Sequence, residues 1–243
     1  MPDTGYFSQP YLLWFIANNP IRQEKCPPNI AVITEMIIAE IKNHSTATLQ
    51  EQLDYTLGLV ATGRIARESG VQIALIDLLI DEGAKPGNLH GAIAHGNLDA
   101  ARRLIERGGQ STLSTAICLE PDKGILQLIK QGTNEDRQIG LVVASFYGKP
   151  GIIKLLIENG VDVNIYPDQS SGFHSHASAL HQAVYAGSLE SVKVLVEAGA
   201  DIQALDRVYE GTPLGWAKYM QTEVEDEEAR KTYKRIENYL ENL

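Results

Sequence analysis

The sequence predicts an all-α solenoid of stacked helix pairs, about six or seven of them. Three observations carry this. The segment 178–203, Ser-Ala-Leu-His-Gln-Ala-Val-Tyr-Ala-Gly-Ser-Leu-Glu-Ser-Val-Lys-Val-Leu-Val-Glu-Ala-Gly-Ala-Asp-Ile-Gln, recurs in degraded form along most of the chain. A mid-unit alanine returns at Ala92, Ala116, Ala144 and Ala183. A closing glycine returns at Gly83, Gly108, Gly132, Gly160 and Gly199, at steps of 25, 24, 28 and 39. Self-similarity at periods of about 20–50 residues marks units that bury their apolar faces only against neighbours.

The elements follow in order. Residues 10–18 are apolar nearly all round and need a cover. After the break at Cys26-Pro27-Pro28, residues 29–43 carry Ile30, Ile33, Ile37, Ile38 and Ile41 on one side. Residues 1–47 thus read as an atypical capping helix pair. Helix-pair repeats are expected at 48–87, 88–110, 111–133, 134–164, 177–203 and 211–243, the last a C-terminal cap. Residues 49–68 read as one long helix with Leu53, Leu57, Val60 and Arg64 on its inner stripe, and 71–81 as its partner. Within 178–203, Leu180, Ala183 and Val184 share one side of a first helix. Leu189, Val192, Leu195 and Val196 form the stripe of a second. Gly187 turns the chain between them, and Gly199 suits a left-handed cap. Thr222-Glu-Val-Glu225 has capping-box spacing, and the acidic run 225–228 belongs at a helix N-terminus. Tyr233, Ile236, Leu240 and Leu243 then make a final stripe.

These residues resemble the ankyrin repeat family. Ser178-Ala-Leu-His181 stands for its opening, Gly199-Ala-Asp201 for its close, and Thr212-Pro-Leu214 for the next opening. Asn88-Leu-His90 and Gly160-Val-Asp-Val-Asn164 match as well. The resemblance covers about residues 71–220. Ankyrin units usually run about 33 residues, with a β-turn finger before each pair. Steps of 24, 25 and 28 leave too few residues for that finger, so bare helix pairs are expected in the middle. The step of 39 must enlarge one loop near 165–177, rich in Pro, Asp, Ser and Gly.

The resemblance also implies roles. His90 and His181 brace their turns by hydrogen bonding to backbone. The binding face is lined by first helices and fingers, and its variable positions are the two residues before each mid-unit glycine. These are Ala94-His95, Cys118-Leu119, Phe146-Tyr147 and Tyr185-Ala186, with Tyr219-Met220 in the last unit. The proposed partner-binding set is His95, Phe146, Tyr147, Tyr166, Phe173, Tyr185, Arg207, Tyr209, Tyr219 and Met220. Aromatic residues and Met are enriched in binding cores. Core positions are Leu141, Ala144, Leu180, Ala183 and Leu214, and Trp216 is expected to pack inside.

The charge balance, 21 Lys and Arg against 31 Asp and Glu for a net −10, argues against nucleic-acid and acidic-membrane binding, which need clustered cations. Two cysteines, Cys26 and Cys118, imply no disulfide framework. With no basic leader and no apolar run of about 18 residues, a cytoplasmic, monomeric protein is expected. No Gly-rich phosphate loop, Gly-x-Ser-x-Gly elbow, His-Glu-x-x-His or Cys-x-x-Cys appears. No catalytic residue, cofactor or metal is expected. Cys118 has no obvious base and reads as an inert thiol. His174 and His176 are the weak metal candidates, with Asp168 the nearest carboxylate.

The functional reading is a non-catalytic scaffold that binds an unknown protein partner on the concave face of its C-terminal repeats. The alternative is a small-molecule or metal-responsive module using the 165–177 loop.

Overall fold

The computed structural model describes residues 13, 16, 25–44, 47–87, 89–119, 124–167 and 174–243. Among them there are fourteen helices and no strand. They form two compact units, Met1–Ser111 and Thr112–Leu243. No helix among the described residues is long and apolar enough to cross a membrane.

The first unit holds α1 (Ile30–His44), α2 (Leu49–Thr62), α3 (Arg64–Glu68), α4 (Gln72–Asp81), α5 (Leu89–Ala94) and α6 (Leu98–Glu106). Helix α2 packs on α4 and α5, and α6 packs on α4 and α5. Two rows of helices therefore stack side by side, as apolar stripes demand. Ile30, Ile38 and Ile41 of α1 are buried. Leu13 and Ile16 are buried too, while the rest of the 10–18 segment lies outside the described residues. The single helix expected over 49–68 is broken. Gly63 is extended, at φ −73° and ψ 134°, so α2 ends and α3 starts afresh. Arg64 consequently leaves the inner stripe and pairs with Glu68 in solvent. Asp77 on α4 receives a two-pronged guanidinium from Arg103 on α6, at 2.8 and 2.7 Å, and a third contact from Arg107. The Arg103 hydrogen bonds hold its carboxyl below the usual carboxylate range, against the opposing effect of burial.

The second unit holds α7 (Leu113–Leu119), α8 (Ile125–Gln131), α9 (Asn134–Phe146), α10 (Pro150–Glu158), α11 (Ala179–Tyr185), α12 (Leu189–Glu197), α13 (Pro213–Glu223) and α14 (Glu227–Glu241). First helices contact in series, α7 with α9, α9 with α11, and α11 with α13. The second row runs α10, α12, α14. Ankyrin-like register with a fingerless middle is what the spacings predict, and the structure shows both. Between α8 and α9 only Gly132 and Thr133 intervene. Gly132 is extended there, unlike the left-handed Gly160 and Gly199. Thr133 forms a capping box with Asp136 at once, leaving no room for a finger.

Among the described residues, finger turns follow α10 and α12. In each, an aspartate closes the turn onto the residue two ahead, Asp162 to the Asn164 N–H and Asp201 to the Gln203 N–H. Asn164 joins the two fingers, accepting from the Asp201 N–H at 2.8 Å and donating to the Gly199 carbonyl at 3.0 Å.

The C-terminal cap differs from expectation in three details. Thr222 lies inside α13, and the cap of α14 is Asp226, accepting from the Ala229 N–H at 2.8 Å. Leu243 is exposed, and Glu237 takes a buried place on the stripe with Tyr233, Ile236 and Leu240. Its charge is satisfied by Lys234 and Gln221. Leu214 is only half-buried.

Candidate aromatic groove on the C-terminal repeats

The site begins with the finger that precedes α13. Asp206 is buried, at 1% exposure, and collects four N–H donors. Its Oδ1 accepts from Val208 and Tyr209 at 2.9 and 2.7 Å. Its Oδ2 accepts from Gly211 at 2.9 Å and from the Trp216 indole Nε1 at 3.0 Å. Burial alone would raise this carboxyl, but the donated hydrogen bonds outweigh it and hold the pKa near about 2. The finger is thereby tied to α13 through Trp216.

His181 ties the same finger to α11. Its Nδ1 meets the Ser178 Oγ at 2.7 Å and its Nε2 meets the Gly211 carbonyl at 2.9 Å. A carbonyl only accepts, so Nε2 carries the proton and the Ser178 hydroxyl donates to Nδ1. Burial lowers the pKa of this imidazole. This is the brace expected of the repeat opening. His90 departs from it, since its buried Nε2 has no hydrogen-bond partner among the described residues.

The previous loop is joined in turn. Arg207 donates its backbone N–H to the His176 carbonyl at 2.7 Å and a guanidinium N–H to the Ser175 carbonyl. That guanidinium lies 4.6 Å over the Tyr166 ring, and the Tyr166 hydroxyl donates to the Leu205 carbonyl at 2.8 Å. Tyr166 and Arg207 also line a neighbouring pocket with Glu135, Gln138 and Ile139.

On this frame the rings form a continuous series. Phe146 of α9 stacks on Tyr185 of α11 at 5.5 Å and on His174 at 4.7 Å. Tyr185 meets Trp216 edge-on at 6.5 Å, and His176 tilts over Trp216 at 6.1 Å. Beyond them His176, Tyr185, Tyr209, Gly211, Gly215, Trp216, Tyr219 and Met220 line a pocket of about 540 Å³. Tyr185, Tyr209 and Tyr219 are 46%, 79% and 60% exposed.

Of the sequence-derived set, Tyr185, Tyr209, Tyr219 and Met220 come together in this pocket, and Phe146 adjoins it. Tyr147 is half-buried, and burial, then the neighbouring Cys118, raises its phenol pKa. His95 lies at the end of α5 in the first unit. Phe173 and Asp168 lie outside the described residues. Trp216, expected inside, instead lines the pocket. His174 and His176, singled out for metal, are ring partners of Phe146 and Trp216. No group of three His, Cys, Asp or Glu that could hold a metal occurs among the described residues. Sequence reasoning missed Asp206 as the anchor. The signal lay in Asp206 followed by Gly211 and Thr212-Pro213, an Asx-type turn before a capped helix. Cys118 has a thiol pushed up to about 12 by burial.

Residues 89–206 match a family model described as ankyrin repeats in three copies. The chain is similar to the crystal structure of the human ASB11 ankyrin repeat domain, at 16% identity over 85% of this chain and 92% of that one, with a TM-score of 0.40. It is also similar to the ankyrin repeat domain of Bcl-3, described as a unique member of the IkappaB protein family, at 19% identity over 84% and 93% and a TM-score of 0.36. Residues 89–206, with their repeated openings, closing glycines and helix pairs, carry the three ankyrin repeats that the family model matches.

Proposed function

We propose that this protein is a non-catalytic scaffold whose C-terminal repeats hold a protein partner in the aromatic groove of α9, α11 and α13. Ankyrin repeats are generally protein–protein interaction modules. The observation that carries the reading is the exposure of Tyr185, Tyr209 and Tyr219 around one pocket with Trp216 and Met220. Rings that large are left in water at a cost, and a contiguous cluster of them marks a binding surface. The frame is rigid, because the fingers are cross-tied by Asn164, Asp206 and Arg207. A rigid surface loses little entropy on binding.

A hydrolytic reading finds no support in the same residues. The His181 imidazole has both nitrogens engaged in structural hydrogen bonds, and the Cys118 thiol is held protonated.

Affinity capture from source-cell lysate with wild-type protein and with Tyr209→Ala/Tyr219→Ala tests this. Partners recovered by wild type are expected to be depleted at least about tenfold by the variant, since each anchor contributes roughly 1 kcal/mol or more. Equal recovery of every protein by both would sink the groove assignment.

A further inference from the structure

We propose that the pocket between Tyr185, Tyr209, Trp216 and Tyr219 receives a cationic side chain, arginine or lysine, from a basic peptide segment of the partner. This rests on the reading of the groove as a protein-binding surface and adds the chemistry of what enters it.

Three observations converge. Four aromatic rings, Tyr185, Tyr209, Trp216 and Tyr219, line the pocket, and Trp is the ring that attracts a cation best. No Lys or Arg is among its lining residues. Arg207 and Lys218, the neighbours in sequence of lining residues Tyr209 and Tyr219, are committed elsewhere: Arg207 covers Tyr166, and Lys218 pairs with Glu241 at 2.7 Å.

At the Nε1–H edge of the Trp216 ring stands the Asp206 carboxylate, buried and met by neutral N–H groups. Its charge adds to the negative potential of the indole face, and partial burial keeps water from screening it fully. Glu223, one turn on along α13, raises the Tyr219 phenol pKa through its charge and a hydrogen bond. Residues 201–228 carry eight Asp and Glu against Arg207 and Lys218 alone. The pocket is thus lined by rings, with the carboxylates of Asp206 and Glu223 acting on Trp216 and Tyr219, which suits a cation with an alkyl stem.

The test uses the full chain and two five-residue probes. One is acetyl-Ser-Gly-Arg-Gly-Ser-amide. The other replaces the arginine by citrulline, which keeps the shape and removes the charge. The readout is the Trp216 indole N–H resonance, assigned with Trp216→Phe. The arginine probe is expected to shift it saturably and to bind at least about fivefold more tightly than the citrulline probe. Tyr209→Leu/Tyr219→Leu keeps an apolar lining and removes two rings, and is expected to abolish the preference. Equal binding of both probes, no shift with either, or a preference that survives the leucine variant overturns the proposal. A groove that captures a protein through Tyr219 yet ignores the arginine probe leaves the scaffold reading standing and removes this one alone.

Discussion

Trp216 on α13 donates its indole N–H to the Asp206 carboxylate across 3.0 Å. The contact links a pocket wall to the turn that carries Tyr209. Binding surface and finger geometry are thus one structure, and a change at Asp206 reaches both.

Asp206→Asn keeps one acceptor oxygen but points an amide N–H₂ at two donors, Gly211 and Trp216. The variant is expected to lose about 1–3 kcal/mol of stability, measured by urea unfolding. The same group gives a pH dependence. Its folded-state value, about 2, lies below its unfolded value. Its contribution is therefore fully present above about pH 4 and fades as pH falls toward 2. Asp206→Asn should flatten that acid limb. An unchanged limb would contradict the assigned role.

His181 shows the opposite chemistry with the same pH direction. Burial depresses its pKa, so protonation favours the unfolded chain. Its stabilising effect is complete above the unfolded value of about 6.5 and is lost as pH falls below it. His181→Leu leaves the Gly211 carbonyl with the Asp206 N–H and deprives the buried Ser178 hydroxyl of its acceptor, and is expected to cost about 1–3 kcal/mol at pH 7.5. Thermal unfolding from pH 7.5 to 5 should be flatter in the variant than in wild type. A wild-type midpoint that does not fall across that range would refute the buried-neutral assignment.

These two residues also show what the sequence discloses. The repeat opening Ser178-Ala-Leu-His181 is a local pattern, and its Ser178–His181 hydrogen bonds follow from position within one helix turn. Asp206 works across a loop, through Trp216 ten residues on, and no periodicity announces it. Trp216 is a second case. A tryptophan beside the repeat alanine reads as core, yet its N–H is drawn to Asp206 and its ring is left facing the pocket. The break at Gly63 leaves no mark in the side-chain pattern, because extended backbone at one residue ends α2.

Cys118 provides a third test. With its thiol pushed up to about 12, almost none is thiolate near neutrality. In a Cys26→Ser background its reaction with Ellman's reagent at pH 8 should run on the order of a thousandfold slower than a free thiol. A rate like that of free cysteine would point to an activated, accessible sulfur.

Glycine substitutions give a ranking. Gly148 and Gly160 both have left-handed backbone, at φ +58° and +84°. A Cβ at Gly148 would stand 3.1 Å from the Ser188 Cβ, whereas one at Gly160 meets nothing within 4 Å. Gly160→Ala should cost about 1–2 kcal/mol in backbone strain alone. Gly148→Ala should cost more, because two neighbouring repeat turns must also move apart. Equal midpoints in urea would contradict that close approach.

The central claim, that the rings of α11, α13 and the preceding finger hold a protein partner, is tested most directly by site-specific photo-cross-linking. A benzophenone amino acid replaces Tyr219 in one sample and the exposed Leu126 of α8 in another. The account predicts a discrete cross-linked partner from position 219, absent from position 126 and suppressed by Tyr209→Ala. The same adducts from both positions, or none from 219 under conditions where wild type captures a partner, would contradict it.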